Sequence, residues 1–193
     1  MRRSMMTLLL LAGSALGAFA QTGEISVSAG ASKFRNESLG SLSALEELKV
    51  KSDFRIGFRF TINQWSHFGH ELGYAYNHGS LDEGSAGSVG MPIHQGMYNF
   101  LAYATPEGSK IRPFATGGVH FSTFYPPGTG VFSGNGFTKF GYNYGGGVKF
   151  RVTDTWLARI DVRDYATAKP DFGLNPSGWL HQLEVSAGVG FAF

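Results

Sequence analysis

The sequence predicts an all-β protein whose eight antiparallel strands close into an up-and-down transmembrane β-barrel. Three observations support this prediction. Apolar and polar residues alternate with a period of two along most of the chain, which is typical of strands with two unlike faces. The 193 residues include 28 glycines, 15% aromatic residues and only 16% charged residues. Long and short connections alternate between the predicted strands, as they do in barrels that cross a membrane.

The first 20 residues have the features of a cleaved secretory signal peptide. Two arginines follow the initial Met, a short apolar stretch comes next, and Ala18-Phe19-Ala20 is a small-x-small cleavage site. An apolar stretch of this length is too short to span a bilayer alone. We therefore predict export by a signal peptide over 1–20, cleavage before Gln21, and a barrel domain over 21–193.

Charge and cysteine content exclude several classes of protein. The chain has 16 Lys+Arg and 14 Asp+Glu, and because two of the arginines lie in the predicted signal, the remainder carries 14 of each. A net charge of zero gives no indication of a nucleic-acid partner. The sequence has no cysteine, which excludes disulfides, thiolate metal sites and lipidation at a cysteine. No later apolar run approaches the roughly 20 residues that a transmembrane helix requires.

The first four predicted strands lie over 24–34, 52–63, 67–78 and 93–105. In the first, apolar residues at odd positions alternate with Ser and Gly at even positions. In the second, every even residue from Phe54 to Ile62 is large and apolar. The fourth strand has bulky residues in both phases, and there we predict that Asn99 faces inward and Phe100 outward.

The last four predicted strands lie over 111–125, 139–152, 156–165 and 180–193. The eighth has apolar residues at odd positions from Leu183 to Phe193. Each strand has about the 9–11 residues needed to cross a membrane at a tilt, or slightly more. An even number of strands lets the meander close with both termini on one side of the membrane.

The connections support this arrangement independently. Long connections are predicted near 35–51, 79–92, 126–138 and 166–179, and short ones at 64–66, 106–110 and 153–155. Bacterial outer-membrane barrels have long extracellular loops and short periplasmic turns. Within the first long connection, residues 41–50 have a brief helical pattern that predicts one or two turns of helix.

The polarity of the two strand faces indicates which one contacts lipid. A soluble eight-stranded barrel or a sandwich is the alternative, with its apolar face inward. That arrangement would place many large aromatic residues in a narrow interior, whereas inward glycines relieve crowding there. Aromatic residues near strand ends are typical of interfacial girdles, which favours an apolar face toward lipid. These residues are Trp65, Tyr74, Tyr76, Tyr125, Tyr142, Trp156 and Trp179.

Several segments resemble a known family. Residues 140–165, FGYNYGGGVKFRVTDTWLARIDVRDY, resemble the penultimate hairpin of small bacterial outer-membrane proteins of the OmpA/OmpX-like β-barrel group. Residues 113–119 resemble that family's fifth strand. The last strand is similar to the C-terminal signal that the barrel-assembly machinery recognises, with Val189, Phe191 and Phe193 in phase.

This resemblance implies a place in the bacterial outer membrane, contact with outer-membrane lipid, and assembly by the barrel-assembly machinery. The sequence departs from full-length OmpA-type proteins in one respect. It stops at Phe193, so we do not expect the peptidoglycan-binding domain that follows the barrel in those proteins, and we do not infer attachment to the cell wall.

Strand parity also predicts ionisable side chains inside the barrel. A charge in a narrow lumen is costly unless it is paired or hydrated. Arg163 and Glu184 lie on neighbouring strands and are expected to pair. The set forms either an ion-pair network that fills the lumen or a narrow ion path, and eight-stranded barrels are usually just filled by side chains. The predicted lumen charge network is Arg55, Arg59, Glu71, Lys149, Arg151, Arg159, Asp161, Arg163 and Glu184, with Glu24, Asp53 and Arg112 as further inward charges.

Catalytic and metal sites are not predicted. His120-Phe121-Ser122 places His and Ser on one strand face, which resembles the pattern of lipid A deacylases. Nucleophilic catalysis also needs an orienting carboxylate, and the next acid after Ser122 is Asp154 in a predicted periplasmic turn. The six histidines are scattered over different strands and ends, so neither a metal site nor a cofactor is expected.

The sequence therefore predicts a monomeric, non-enzymatic outer-membrane barrel. Its role would be membrane structure, or surface interaction with an unidentified extracellular partner through its four long loops. Two alternatives remain: a narrow, porin-like channel for ions or small solutes, and a lipid-modifying enzyme.

Overall fold

The computed structural model describes residues 22–35, 38–40, 48–82, 87–126, 135–171 and 177–193. The strands in these ranges are β1 (Thr22–Phe34), β2 (Ser38–Gly40), β3 (Leu48–Gln64), β4 (Phe68–Asp82), β5 (Ser88–Tyr103), β6 (Ile111–Phe124), β7 (Phe137–Arg151), β8 (Trp156–Ala168) and β9 (Trp179–Ala192). Within the same ranges, no helix has the length and apolar character needed to cross a membrane. The predicted signal peptide and the helical pattern at 41–47 lie outside the described residues.

The strands form a closed antiparallel barrel, as the sequence predicts. Each long strand pairs with its neighbours in the chain, and β1 pairs with both β3 and β9, which joins the two edges of the sheet. The short strand β2 adds only a brief extension beside β3, so eight strands make up the wall. Closure removes the unpaired strand edges that an open sheet would present to lipid.

The two faces of the wall have opposite polarity. Along β1, Ser26 and Ser28 are buried inside while Val27 between them is exposed outside. Phe140 on β7 is 74% exposed on the outer face, and Arg159 on β8 is 1% exposed within the lumen. A soluble barrel would show the reverse, because water would then cover the outer surface. The outer face is therefore suited to lipid.

Three strands extend at least four residues further toward the predicted extracellular end than their sequence pattern predicts. β4 continues to Asp82 and β5 begins at Ser88, so the connection predicted over 79–92 is reduced to 83–87. Glycine and serine in this stretch suggest a loop, but the ladder continues through Leu81 paired with Val89. Likewise, residues 48–50, which the helical pattern included, begin β3.

A bulge in β3 makes one inward prediction wrong. The β3–β4 register shifts between Ser52 and Arg55, and both Asp53 and Phe54 are exposed. A β-bulge inserts one residue without a partner, so simple alternation fails across it. Asp53 therefore faces outward, whereas Arg55 beyond the bulge is buried in the lumen.

Candidate functional site

The barrel interior is the part of the molecule in which polar and ionisable side chains converge. It divides along the barrel axis into four layers. From the end predicted to be extracellular to the end predicted to be periplasmic, we call them the apolar plug, the amide layer, the charge layer and the basal layer. The register places each residue at its level, because paired positions on neighbouring strands lie side by side.

The apolar plug closes the extracellular end of the lumen. Its residues come from the extracellular ends of seven strands, and each is at most 2% exposed. Such packing excludes water from this level of the barrel. The plug consists of Phe34, Leu39, Val50, Leu81, Met91, Ile93, Phe124 and Leu180.

Beneath the plug lies the amide layer, in which two glutamines span the lumen. Gln95 donates through Nε2 to Ser122 Oγ at 2.9 Å and to Gln182 Oε1 at 2.9 Å. Gln182 donates in turn to Ser32 Oγ at 2.9 Å and to Asn77 Oδ1 at 3.2 Å. These bonds occupy the polar groups and join β1, β4, β5, β6 and β9.

In the charge layer, two carboxylates bind the arginines of β8. Glu71 on β4 accepts from Arg159 Nη1 at 2.9 Å and from Arg163 Nη2 at 2.8 Å. Asp161, which lies between these arginines on β8, accepts from Arg159 Nε at 2.8 Å and from Arg163 Nη2 at 2.9 Å. Each arginine therefore binds two carboxylates.

The third carboxylate of the charge layer binds the arginines of β3. Glu184 on β9 lies 3.0 Å from Arg55 Nε and 2.9 Å from Arg59 Nη2. Arg59 also approaches Asp161 at 3.7 Å, which links the two groups of ions. Arg163 and Glu184 are register partners, but the predicted pair does not form, because their side chains bind carboxylates and arginines on other strands.

Tyr165 fills the space between the charge layer and the amide layer. Its hydroxyl accepts from Arg55 Nη2 at 3.1 Å and donates to Met97 Sδ at 3.4 Å. The Arg55 guanidinium also lies 4.6 Å from the centre of the Tyr165 ring. The charge layer holds four arginines and three carboxylates, so one positive charge has no carboxylate of its own. The hydroxyl and the ring of Tyr165, which both contact Arg55, accommodate this charge.

The basal layer closes the periplasmic end. Lys149 forms an ion pair with Glu24 and donates to Tyr103 Oη at 2.8 Å. The Arg112 guanidinium stacks 3.7 Å from the centre of the same tyrosine ring. Arg151 is only half-buried and lines a small cavity of about 20 Å³ at this mouth. A cavity of this size holds about one water molecule.

Of the nine predicted network residues, seven lie in the charge layer: Arg55, Arg59, Glu71, Arg159, Asp161, Arg163 and Glu184. Lys149 lies in the basal layer with Glu24 and Arg112, and Arg151 lies at the mouth outside the network. Asn99 is fully buried and Phe100 exposed, as predicted.

His120 and Ser122 do not form a nucleophile–base pair. His120 Nε2 lies 2.8 Å from Thr167 Oγ1, and Ser122 Oγ accepts from Gln95. Both side chains face the lumen and are at most 3% exposed. In the described part of the chain, neither contacts a carboxylate, and no group of His, Asp and Glu is arranged to hold a metal ion.

The sequence interpretation missed the apolar plug and the two lumen tyrosines, Tyr103 and Tyr165. A signal for the plug was present in β5, where both phases carry bulky residues. The inner phase of that strand includes Met91 and Ile93 of the plug and, toward the other end of the lumen, Leu101 beside Tyr103, and all are buried. Bulky residues in both phases therefore indicate a strand whose lumen face is partly apolar.

The three predicted assembly-signal residues lie on the outer face at the end of the chain. Val189, Phe191 and Phe193 are all exposed. Phe193 exchanges two backbone hydrogen bonds with Gly23, of 3.0 and 2.9 Å, and its ring covers that glycine. A Cβ atom at residue 23 would lie 2.7 Å from the ring, so a larger residue there would displace the exposed Phe193 side chain.

Comparison with known proteins gives a family match and several structural relatives. A family model described as the outer membrane protein beta-barrel domain matches residues 6–193. No curated protein sequence matches the chain significantly. Because this family model covers nearly the whole chain, the match includes all nine strands.

Solved structures show the same fold at low sequence identity. Neisserial surface protein A matches with a TM-score of 0.64 at 16% identity, covering 89% of this chain and 97% of that one. Outer membrane protein W of E. coli matches with a TM-score of 0.51 at 20% identity, covering 89% of this chain and 98% of that one. Ail, the attachment invasion locus protein of Yersinia pestis, matches with a TM-score of 0.51 at 13% identity, covering 90% of this chain and 99% of that one.

Proposed function

We propose that this chain, which belongs to the outer membrane protein beta-barrel domain family, is a non-conducting and non-enzymatic barrel of the bacterial outer membrane. The observation that supports this proposal is the filled lumen. The apolar plug, the charge layer and the basal layer each occupy the cross-section with buried side chains. An ion crossing the barrel would have to displace all of them.

The position of the plug supports a role at the cell surface. Because the lumen is closed at the extracellular end, the long connections there are the part of the protein that meets the surroundings. Ail, which shares the fold, is named for attachment and invasion and has been crystallised with a heparin analogue. Its fold likeness supports surface interaction by a monomeric barrel as the role of this chain, beside a contribution to membrane structure.

The purified barrel in planar lipid bilayers is expected to show no steady single-channel openings. The charge layer carries multiple ion pairs per residue, so spontaneous opening would expose several unpaired charges at once. Replacing Phe34 and Phe124 of the plug by Ala should also give no steady conductance, because the charge layer remains closed. Single-channel recording at symmetric salt measures both.

The second candidate is a narrow ion channel, which the excess of positive charge in the charge layer favours. Steady openings that disappear when Arg59, Arg159 or Arg163 is neutralised would establish this function instead. Openings in the plug variants alone would show that the barrel is a channel gated at its extracellular end.

A further inference from the structure

We infer that the outer wall formed by β9, β1 and β3 binds one phosphate-bearing lipid of the outer leaflet at its extracellular end. We call this surface the lipid site. It consists of Lys33 and Arg35, which would bind the phosphate, and of the groove over Ala29 and Ala31, which would hold an acyl chain. The inference does not depend on whether the lumen conducts.

The two cations of the lipid site lie side by side on the wall. Lys33 and Arg35 are two positions apart, so both point to the outer face, and both are exposed. The Arg35 amide donates to His181 O at 2.8 Å, which holds the chain against β9 beyond the end of β1. A cavity of about 510 Å³ lies beside them, with Leu183 as a further lining residue. Lys and Arg together are a common combination for binding phosphate.

Neither cation is neutralised within the described part of the chain. The neighbouring acids have other partners: Asp164 lies 2.7 Å from His181 Nδ1, and Asp82 lies 2.5 Å from Lys51 Nζ. Asp53, which the bulge turns outward on β3, forms no ion pair with Lys33 or Arg35. Lys33 and Arg35 carry two positive charges and Asp53 carries one negative charge, so this surface is positive toward the membrane interface.

Side-chain sizes on the wall below these cations indicate a groove. Ala31 and Ala29 are the outward residues that precede Lys33 on β1, and both are exposed. Phe54 and Ile56 on β3 flank them on one side, paired in register with Ala31 and Ala29 and 44% and 48% exposed. On the other side Val185 of β9 pairs with Ala31 and is 50% exposed. Ala29 pairs on this side with Ala187, which is also small and exposed, so three alanines bounded by larger apolar side chains form a depression that suits an extended hydrocarbon chain.

Lipid fits this combination better than a second copy of the protein. Along β1 the apolar outward residues end at Ala31, and we place Lys33 and Arg35 at the level of the lipid headgroups. Cations at that depth attract anionic lipid with about 1 kcal/mol each. A second barrel packed on this wall would desolvate both cations, and the described surface offers no facing acid to compensate for that cost.

The test uses native mass spectrometry of the folded barrel in detergent, titrated with bisphosphorylated lipid A. Wild type is expected to retain one lipid. The double variant K33Q/R35Q should bind about thirtyfold more weakly, which corresponds to about 1 kcal/mol for each cation. K51Q, which removes a cation at the same end that is paired with Asp82, is the matched control and should bind as wild type does. Heat-modifiable gel migration shows that all three remain folded.

Two further arms separate the lipid from other occupants. Ala29→Leu fills the groove and should weaken lipid A binding without removing either cation. Inorganic pyrophosphate should compete only at concentrations far above that of the lipid. Equal affinity of K33Q/R35Q and wild type, equal affinity for pyrophosphate and lipid A, or dimers that dissociate in K33Q/R35Q would each overturn the inference.

Discussion

Replacing Glu71 by Gln is expected to lower the free energy of unfolding by about 3–5 kcal/mol, which is the usual cost of removing one partner from a buried ion pair. Glu71 is fully buried and accepts hydrogen bonds from Arg159 and Arg163. The substitution keeps the shape of the side chain, so the loss measures charge and hydrogen bonding rather than a cavity. Urea unfolding of the refolded barrel in vesicles measures it.

Glu107→Gln serves as the control for this prediction. Glu107 lies at the periplasmic mouth, where its side chain is 29% exposed and approaches Arg112 at 3.4 Å. A partly exposed pair of this kind contributes about 0–1 kcal/mol. If Glu71→Gln cost no more than Glu107→Gln, the charge layer would not be a main source of stability.

A double-mutant cycle tests whether Glu71 acts through its contact with Arg163. Arg163→Gln removes one of the two arginines that donate hydrogen bonds to Glu71. The double variant should be destabilised by less than the sum of the single variants, because the second change removes a charge that the first left unpaired. Additive effects would indicate that the two residues contribute independently.

Deletion of Phe193 is expected to lower the amount of folded protein in the outer membrane severalfold while leaving export across the inner membrane intact. The deletion removes two backbone hydrogen bonds to Gly23 and the ring that covers this glycine. These contacts lie on the seam at which β9 meets β1 to close the barrel. Membrane fractionation with heat-modifiable gel migration measures the folded amount.

Two variants separate a role at the seam from a general loss of apolar surface. Phe140→Ala removes a more exposed aromatic residue elsewhere on the wall and should leave the folded amount near wild type. Gly23→Val displaces the exposed Phe193 ring but keeps both backbone hydrogen bonds, so it should lower the folded amount by less than the deletion does. Normal levels after deletion of Phe193 would contradict its role as an assembly signal.

The sequence was sufficient for the architecture because its evidence is local. Alternation along a single strand assigns each residue to a face, and connection lengths assign each strand end to a side. Even the irregular fourth long strand follows this rule, with Asn99 buried and Phe100 exposed.

Alternation is less informative where a strand leaves its regular geometry or its usual composition. Asp53 was misplaced because one extra residue in a bulge reverses the faces on either side of it. The ends of β4 and β5 were missed because Gly79 and Gly90 favour a turn, whereas cross-strand pairing and the burial of Leu81 hold the ladder. Tertiary packing outweighs local propensity there.

The choice of ion-pair partners was also beyond the sequence. Strand parity identifies which charges face the lumen, and register brings Arg163 beside Glu184. In a narrow barrel, however, long side chains reach the opposite wall as easily as the adjacent strand. Arg163 binds Glu71 from β4, and this contact depends on the diameter and stagger of the closed barrel.

The arginines of the charge layer pair with carboxylates on distant strands, and this has a consequence for the insertion of the barrel into the membrane. The arginines of β3 rely on Glu184 near the end of the chain, and those of β8 rely in part on Glu71 in its first half. A β3–β4 hairpin entering lipid alone would carry an uncompensated positive charge to the middle of the bilayer. Insertion one hairpin at a time is therefore unfavourable, because the arginines of β3 reach Glu184 only when β9 closes the barrel beside β1.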